Sequence, residues 1–176
     1  MPTLTAKHLI DLLSQFVRDT GSSVDLLVVG ALALHAYGIS DRATRDVDGE
    51  LDGPLAPLLE FLTAQQVPAD LTQNFSGWSI VAMPPGYRDR AISLVNQPNL
   101  HVRVLAPLDF VIAKLRRGTD LDFEDALLVA RHYRLSAGSI QAGARAALAA
   151  SPQDTALFLF QKTVDLFCAT LTSPPS

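Results

Sequence analysis

A short apolar run that ends at a glycine is the feature that most constrains the fold of this chain. Residues 26–29 are leucine and valine, which is typical of a buried strand. Gly30 ends this run, and residues 31–37 are largely good helix formers, so we expect a helix to begin at the glycine. The sequence therefore predicts a sharp turn from a strand into a helix, with no side chain at its corner.

Two aspartates separated by one residue follow this turn, in a segment with an extended pattern. Alternate side chains of a strand point to the same face, so Asp46 and Asp48 should project together while Val47 points to the opposite layer. Their Cα atoms would lie roughly 6.6 Å apart, a spacing at which carboxylates can bind Mg²⁺ or Mn²⁺ and, through the metal, phosphates. The Gly30 turn offers backbone N–H groups to the same phosphates. The alternative interpretation is a merely solvated Asp-x-Asp beside a turn.

A second group of polar residues lies in the C-terminal half of the chain. Lys114 follows an apolar helical stretch, and Asp122 and Asp125 lie three residues apart on one face of the next predicted helix. Lys114 either extends to solvent or offers its ammonium group to a phosphate. The two aspartates either hydrogen-bond Arg117 or Arg42 and fix the architecture, or belong to an active site.

The order of these features resembles the DNA polymerase beta-like nucleotidyltransferase superfamily: a strand, Gly-Ala, a helix, a loop, and Arg-Asp-Val-Asp on a second strand. Within that superfamily, the chain is similar to the small bacterial branch of AbiEii and MenT toxin-type nucleotidyltransferases. Two further segments carry this similarity, Lys-Leu at 114–115 followed by Asp-x-x-Asp, and Pro-Pro-Gly-Tyr-Arg-Asp-Arg at 84–90. The resemblance covers residues 24–133.

This resemblance implies an enzyme that transfers NMP from an NTP such as ATP to an acceptor hydroxyl on tRNA, a protein or a small molecule. It implies Mg²⁺ or Mn²⁺ as cofactor, and a toxin–antitoxin or phage-defence role with an antitoxin as partner. Of the two aspartates in the last motif, it favours Asp122 for the active site. The implied metal ligands are Asp46 and Asp48, the catalytic residues are Asp46, Asp48, Lys114 and Asp122, and the nucleotide-binding residues are Gly30, Ala31, Arg45 and Lys114.

The sequence departs from the superfamily at two positions. Ala31 stands where serine or glycine is frequent, so the turn offers a backbone N–H but no hydroxyl. Many members also carry a third carboxylate on a later strand, but residues 100–105 hold His101 and Arg103 instead; Glu50 and His101 are the candidate substitutes. A catalytically degenerate nucleotidyltransferase fold that binds a nucleotide or a partner protein is therefore the second hypothesis, and an unrelated α/β protein is the third.

The pattern of the whole chain predicts an α/β (α+β) structure with a small mixed sheet flanked by helices and a helical C-terminal half, and the resemblance implies that this is the nucleotidyltransferase fold. We expect an α/β core at residues 1–106, a helical region packed on it at 107–171, and a flexible tail at 172–176. Within this plan, residues 74–82, 91–95 and 100–105 read as further strands. Helices are predicted at 5–20, 54–66, 107–116, 121–132, 139–150 and 153–171.

Composition sets the remaining expectations. A net charge of -4 and a sequence pI near 5.4 argue against strong non-specific DNA binding. No apolar run reaches the roughly 18 residues that span a bilayer, and no signal peptide is evident. The single cysteine, Cys168, has no partner for an internal disulfide and is read as a buried apolar residue. A soluble cytoplasmic protein is expected.

Overall fold

The computed structural model describes residues 3–39 and 43–174, which form a mixed α/β structure. The strands are β1 (Val24–Val28), β2 (Val47–Asp52), β3 (Ala69–Thr72), β4 (Ile92–Gln97) and β5 (Leu100–Val104). The helices are α1 (Ala6–Thr20), α2 (Leu32–Ala36), α3 (Leu55–Ala64), α4 (Tyr87–Arg90), α5 (Pro107–Arg117), α6 (Asp120–His132), α7 (Ala137–Ala149) and α8 (Ala156–Thr172), with one 3-10 helix, η1 (Phe75–Trp78). The predicted fold class, with a small mixed sheet, is confirmed. Within the described ranges, every helix is too short or too polar to cross a bilayer.

The strands form one sheet in the order β3-β2-β1-β5-β4. β1 lies at its centre, antiparallel to β2 and parallel to β5. β2 is also parallel to β3, and β4 is antiparallel to β5 with a bulge between Ser93 and Val95. β2 therefore lies between β1, which leads into the glycine turn, and β3.

The two faces of this sheet differ in chemistry because side chains alternate along each strand. The central strands contribute fully buried aliphatic side chains to one face, among them Leu26, Val28, Val47, Val102 and Val104. By strand register, the charged and polar residues share the other face: Asp25, Asp48, Glu50, Asp52, Asp70, His101 and Arg103. The apolar face contributes to the hydrophobic core, and the charged and polar side chains listed above lie on the opposite face.

Local signals set the ends of several helices. Thr5 caps α1 by accepting a hydrogen bond from the His8 N–H, and Gly21 ends that helix in the left-handed conformation at φ 68°. α5 begins with Pro107, which has no backbone N–H that would need an acceptor in the first turn. It is ended by Gly118, which adopts the left-handed conformation at φ 70°. These signals explain why both helices were predicted within a residue of their ends.

The chain divides into two compact units. The first, Met1–Phe75 with Ala91–Leu105, holds the sheet and α1 to α3. The second, Ser76–Arg90 with Ala106–Ser176, holds α4 to α8.

Within the second unit, two arginines bind the segment 76–90 to α5. Arg116 donates from Nε to the Val81 carbonyl at 2.7 Å and from Nη2 to the Ser76 carbonyl at 2.8 Å. Burial lowers the pKa of Arg116 to about 10, a shift that the nearby Tyr87 only partly opposes. Arg90 forms a two-pronged ion pair with Asp109, at 2.9 and 2.8 Å. The segment is therefore fixed to its helix although much of it lacks regular structure.

The predicted strand at residues 74–82 is wrong. Its first half is the 3-10 helix η1, and Ser76 Oγ accepts a hydrogen bond from the Met83 N–H at 2.9 Å, which folds the segment back on itself. The aromatic residues that suggested a strand are interrupted by serine and glycine, which favour such turns. The strand in this region is β3, which precedes the predicted segment. The other predicted helices and strands are confirmed with small shifts at their ends.

Candidate functional site

The corner between β1 and α2 lies directly against Asp48. A Cβ atom on Gly30 would come within 2.4 Å of Asp48 Oδ2 and 2.7 Å of Asp48 Cβ. The backbone continues the contact, because the Val29 N–H donates to the Asp48 carbonyl at 2.9 Å. Only glycine leaves room for this carboxylate at the corner. The structure thus brings together two residues that the sequence predicted for one site.

The turn itself presents backbone donors. Ala31 precedes α2 with helical dihedral angles, φ -59° and ψ -23°, and its side chain makes no capping hydrogen bond. The first hydrogen bonds of the turn run from Ala33 N–H to Gly30 and from Leu34 N–H to Ala31. Since the first N–H groups of a helix have no acceptor within it, those of Ala31 and Leu32 are the donors that the corner offers.

Asp46 lies one residue before β2. Its side chain is exposed and accepts a hydrogen bond from Thr44 Oγ1 at 3.0 Å. Val47 is fully buried and Asp48 is half-buried, which is the alternation expected if Asp46 and Asp48 lie on the polar side. Arg45 is exposed beside them.

Asp70 is the residue that sequence reasoning missed. In the parallel pair of β2 and β3, it lies directly opposite Asp48. Paired residues of neighbouring strands point to the same face, so these two carboxylates stand side by side, with Cα atoms roughly 4.8 Å apart. Asp70 is exposed. The sequence sought a third carboxylate on residues 100–105, which form β5; β5 neighbours β1, whereas β3 neighbours β2.

The two substitutes suggested for a third carboxylate have other places. His101 pairs with Asp25, with 3.8 Å between its Nδ1 and Asp25 Oδ2. Asp48 lies beside Val29 of the first strand segment. Asp25 lies four residues before Val29, which is about 13 Å along a strand. His101 therefore lies at the other end of the sheet and does not substitute. Glu50 is buried, and one of its carboxylate oxygens accepts a hydrogen bond from the Phe75 backbone N–H at 2.9 Å.

In the second unit, Lys114 lies in a buried cluster of charges. Its Nζ is 3.2 Å from Asp122 Oδ1 and 3.0 Å from Asp125 Oδ2, and all three side chains are at most 8% exposed. Arg117 donates to both oxygens of Asp122 at 2.6 and 2.7 Å, and Thr119 Oγ1 donates at 2.7 Å. The predicted partnership of Asp122 with Arg117 is thus observed, whereas Arg42 lies outside the described residues.

Asp122 is the anion that orders this cluster. Burial alone would raise its pKa, but the hydrogen bonds from Arg117 and Thr119, with the charges of Lys114 and Arg117, outweigh burial and lower the pKa to about 2. Asp122 also forms a capping box with Thr119 at the start of α6. It is therefore ionised at neutral pH and holds two cations and a helix end in place. Catalytic roles for Lys114 and Asp122 stay predictions.

Comparison with known proteins assigns the chain at the level of family. Residues 7–150 match a family described as "Nucleotidyltransferase of unknown function (DUF6036)". The chain belongs to this family. The range that matches the nucleotidyltransferase family contains the Gly30 corner, the strands β2 and β3 that carry Asp48 and Asp70, and the Lys114 cluster. Neither a curated protein nor a solved structure is significantly similar to the chain.

The Gly30 corner generates a stability prediction. In Gly30→Ala, the new methyl group must displace Asp48 at its Cβ as well as at its flexible tip, so we expect the free energy of unfolding to fall by about 1–3 kcal/mol. Gly138→Ala is the matched control, because its methyl group meets only Ser136 Oγ at 3.9 Å and alanine is the better helix former in α7. Urea unfolding of both variants measures this, and equal stability of Gly30→Ala and wild type would contradict the close packing.

The Asp122 cluster generates a pH prediction. A folded-state pKa of about 2, below the ordinary value of 3.8, means that Asp122 stabilises the fold above about pH 4 and loses this effect as the pH falls toward 2. Asp122→Asn should therefore cost on the order of 2 kcal/mol at pH 7, and its difference from wild type should shrink between pH 4 and 2. Asp120→Asn, exposed in the same helical turn, is the control and should cost less than about 1 kcal/mol. If the difference in the free energy of unfolding between wild type and Asp122→Asn is the same at every pH, the lowered pKa of Asp122 would be refuted.

Proposed function

We propose that the chain is a metal-dependent nucleotidyltransferase that moves NMP from an NTP to an acceptor hydroxyl and releases pyrophosphate. Family membership supports the reaction class. The observation that carries the proposal is the register of β2 and β3, in which Asp48 lies opposite Asp70 while its side chain lies against the Gly30 corner. Carboxylates and a glycine turn thus meet at one end of one sheet face.

The donor set of this corner fits a hard divalent cation. Asp48 and Asp70 are paired across neighbouring strands and offer carboxylate oxygens on the same face of the sheet. Asp46, two residues before Asp48, lies on the same side. Mg²⁺ and Mn²⁺ prefer such oxygens as ligands. Within residues 3–39 and 43–174, no three acidic, histidine or cysteine side chains are already gathered as closely as a metal requires, so these carboxylates must rotate toward a common ion. When bound, Mg²⁺ would polarise the phosphoryl oxygens and offset their charge.

The turn would hold the phosphates of the nucleotide. Gly30 lets an oxygen approach the backbone closely, and the N–H groups of Ala31 and Leu32 can donate to it. The exposed Arg45 guanidinium can bind a phosphate with two parallel hydrogen bonds. Because Ala31 has no hydroxyl, backbone groups carry the contact that a serine side chain would otherwise share.

Asp70 is the proposed general base. Its exposed carboxylate can accept the proton of the acceptor hydroxyl while that oxygen forms a bond to the α-phosphorus. The bond from the α-phosphorus to the bridging oxygen breaks, and pyrophosphate leaves with the electron pair. Asp48, deeper at the Gly30 corner, would hold the divalent cation that offsets the charge of the reacting phosphate. The acceptor is a hydroxyl of a tRNA 3′ end, a protein side chain or a small molecule.

The resemblance to the AbiEii and MenT branch supports two further parts of the proposal. It assigns Lys114 to the triphosphate and Asp122 to the active site; within their own unit these residues form the buried cluster with Asp125 and Arg117. It also suggests a toxin–antitoxin or phage-defence role in the cytoplasm, with an antitoxin as partner.

A catalytically degenerate nucleotide-binding module is the second candidate. Two observations favour it: Ala31 removes a hydroxyl from the turn, and Lys114 is held between two aspartates rather than exposed. This candidate predicts metal-dependent binding of an NTP without transfer.

Binding and transfer assays test the proposal together. Calorimetry with NTP and Mg²⁺ measures binding, and α-labelled NTP with total RNA or cell protein measures transfer. Asp48→Asn and Asp70→Asn should each lower transfer at least about 100-fold, Asp70→Asn chiefly through kcat. Asp52→Asn, on the same strand and face but four residues from Asp48, should leave transfer unchanged.

The possible outcomes separate the candidates. Binding by wild type without any label transfer would favour the degenerate module. An absence of both binding and transfer, or equal activity of wild type, Asp48→Asn and Asp70→Asn, would contradict the enzymatic proposal.

A further inference from the structure

Glu50 is a buried acidic residue on the face of β2 that carries Asp48. It follows Asp48 by two residues and shares its face of the sheet, and it is only 8% exposed. Its Oε2 accepts a hydrogen bond from the backbone N–H of Phe75, which is itself buried. We infer that Glu50 is a positioning residue, which holds β3 against β2 and thereby keeps Asp70 opposite Asp48. The inference rests on the proposed function in one respect, that Asp48 and Asp70 bind the metal.

Strand β3 has few buried side chains of its own to hold it in place. It has four residues and lies at the edge of the sheet, where its neighbour is β2. Of these four residues, Leu71 alone is buried, and it lies close to Gly49 of β2, where an added Cβ would meet its Cδ2 at 3.3 Å. Segments with few buried apolar contacts open locally at low cost in free energy. An additional contact is therefore expected to keep β3 paired along its whole length.

The acidic pair of the proposed metal site makes such a contact more important. Asp48 lies directly opposite Asp70 in the parallel pair of β2 and β3. Like charges directly opposite each other destabilise a pair of strands. Before a cation binds, this repulsion favours separation of β3 from β2 at the level where a metal would require both carboxylates. A contact elsewhere along the two strands must oppose that separation.

The hydrogen bond of Glu50 lies where it opposes this separation. In the register of the two strands, Glu50 is directly opposite Thr72, the last residue of β3 and two residues after Asp70. The chain then turns, with the Asn74 N–H donating to Thr72 Oγ1 at 3.3 Å, and reaches Phe75. Because the Glu50 carboxylate accepts the Phe75 N–H at 2.9 Å, the segment that follows β3 is tied back to β2 at the last pair of the ladder. Hydrogen bonds to a carboxylate are roughly twice as strong as those between neutral groups.

Hydrogen–deuterium exchange without metal or nucleotide tests the hold on β3 directly. In Glu50→Ala, the amides of residues 69–72 should exchange at least about tenfold faster than in wild type, because the lost hydrogen bond stabilised the closed strand. In Glu50→Gln, the side chain keeps an acceptor oxygen without the charge, so exchange should be only about two- to threefold faster. Glu60→Ala, at an exposed glutamate on α3 in the same unit, is the matched control and should exchange like wild type.

The exchange experiment has outcomes that overturn the inference. Exchange of residues 69–72 at the wild-type rate in Glu50→Ala would do so. Acceleration that extends equally to β1 would also do so, because it would show a general loss of stability and no particular hold on β3. If circular dichroism shows that Glu50→Ala does not fold, Glu50→Gln decides: faster exchange confined to residues 69–72 supports the inference, and the wild-type rate overturns it.

Manganese titration separates positioning from a merely structural role. Electron paramagnetic resonance measures the affinity of the folded variants for Mn²⁺. Glu50→Ala should weaken Mn²⁺ binding at least about tenfold, as expected when a residue that supports a metal ligand is removed. Glu50→Gln should stay within about threefold of wild type, because its side chain still accepts the Phe75 N–H. Unchanged Mn²⁺ affinity in Glu50→Ala would overturn the inference.

A double variant shows whether Glu50 acts through Asp70. If it does, Glu50→Ala/Asp70→Asn should bind Mn²⁺ as weakly as Asp70→Asn alone, because the second change removes nothing further. A loss equal to the product of the two single losses would show that Glu50 acts independently of Asp70 and would overturn the inference. A wild-type protein that binds no Mn²⁺ would reject the proposed metal site, whereas exchange at residues 69–72 would still decide whether Glu50 holds β3.

Discussion

The close approach of the Gly30 backbone to the Asp48 side chain is the constraint on which the site depends. The two share a corner in which one methyl group would come within 2.4 Å of the carboxylate. This contact fixes β2 against β1, because a slip of one residue would turn every aspartate of β2 toward the apolar layer. Burial of Val47, Leu51 and the aliphatic side chains of β1 and β5 opposes such a slip. The core therefore determines where the carboxylates point.

The same register extends to β3 and makes two acidic residues into neighbours. Asp48 and Asp70 are separated by more than twenty residues in the chain, yet they lie opposite each other in a parallel strand pair. Two carboxylates placed side by side repel each other unless a cation lies between them. In the proposed site, a divalent cation bound by both carboxylates would offset this repulsion. In the second unit, by contrast, the buried carboxylates of Asp122 and Asp125 form ion pairs with protein cations. Lys114 pairs with both, and Arg117 pairs with Asp122.

Much of the first unit could be predicted because its signals are local. The run that ends at Gly30, the caps of α1 and α5, and the two-residue spacing of Asp46 and Asp48 are all read within a few residues. Asp70 could not be found this way, because β3 has only four residues and shows no long alternation. The role proposed for Asp70 depends on strand order, whereas the sequence analysis sought the third carboxylate on β5, which is a neighbour of β1 and not of β2. His101 was considered as a substitute for the same reason. Residues 74–82 were predicted as a strand because their aromatic content outweighed their serine and glycine turn signals.

Anomalous diffraction from crystals soaked with Mn²⁺ and a non-hydrolysable NTP analogue tests the central claim most directly. Mn²⁺ takes carboxylate oxygens at distances close to those of Mg²⁺, and its anomalous signal locates it without assumptions about the ligands. The account predicts a manganese peak bound by Asp48 and Asp70 together, with a phosphate of the analogue at the Gly30 corner. A peak elsewhere, or a metal whose ligands exclude both aspartates, would contradict it.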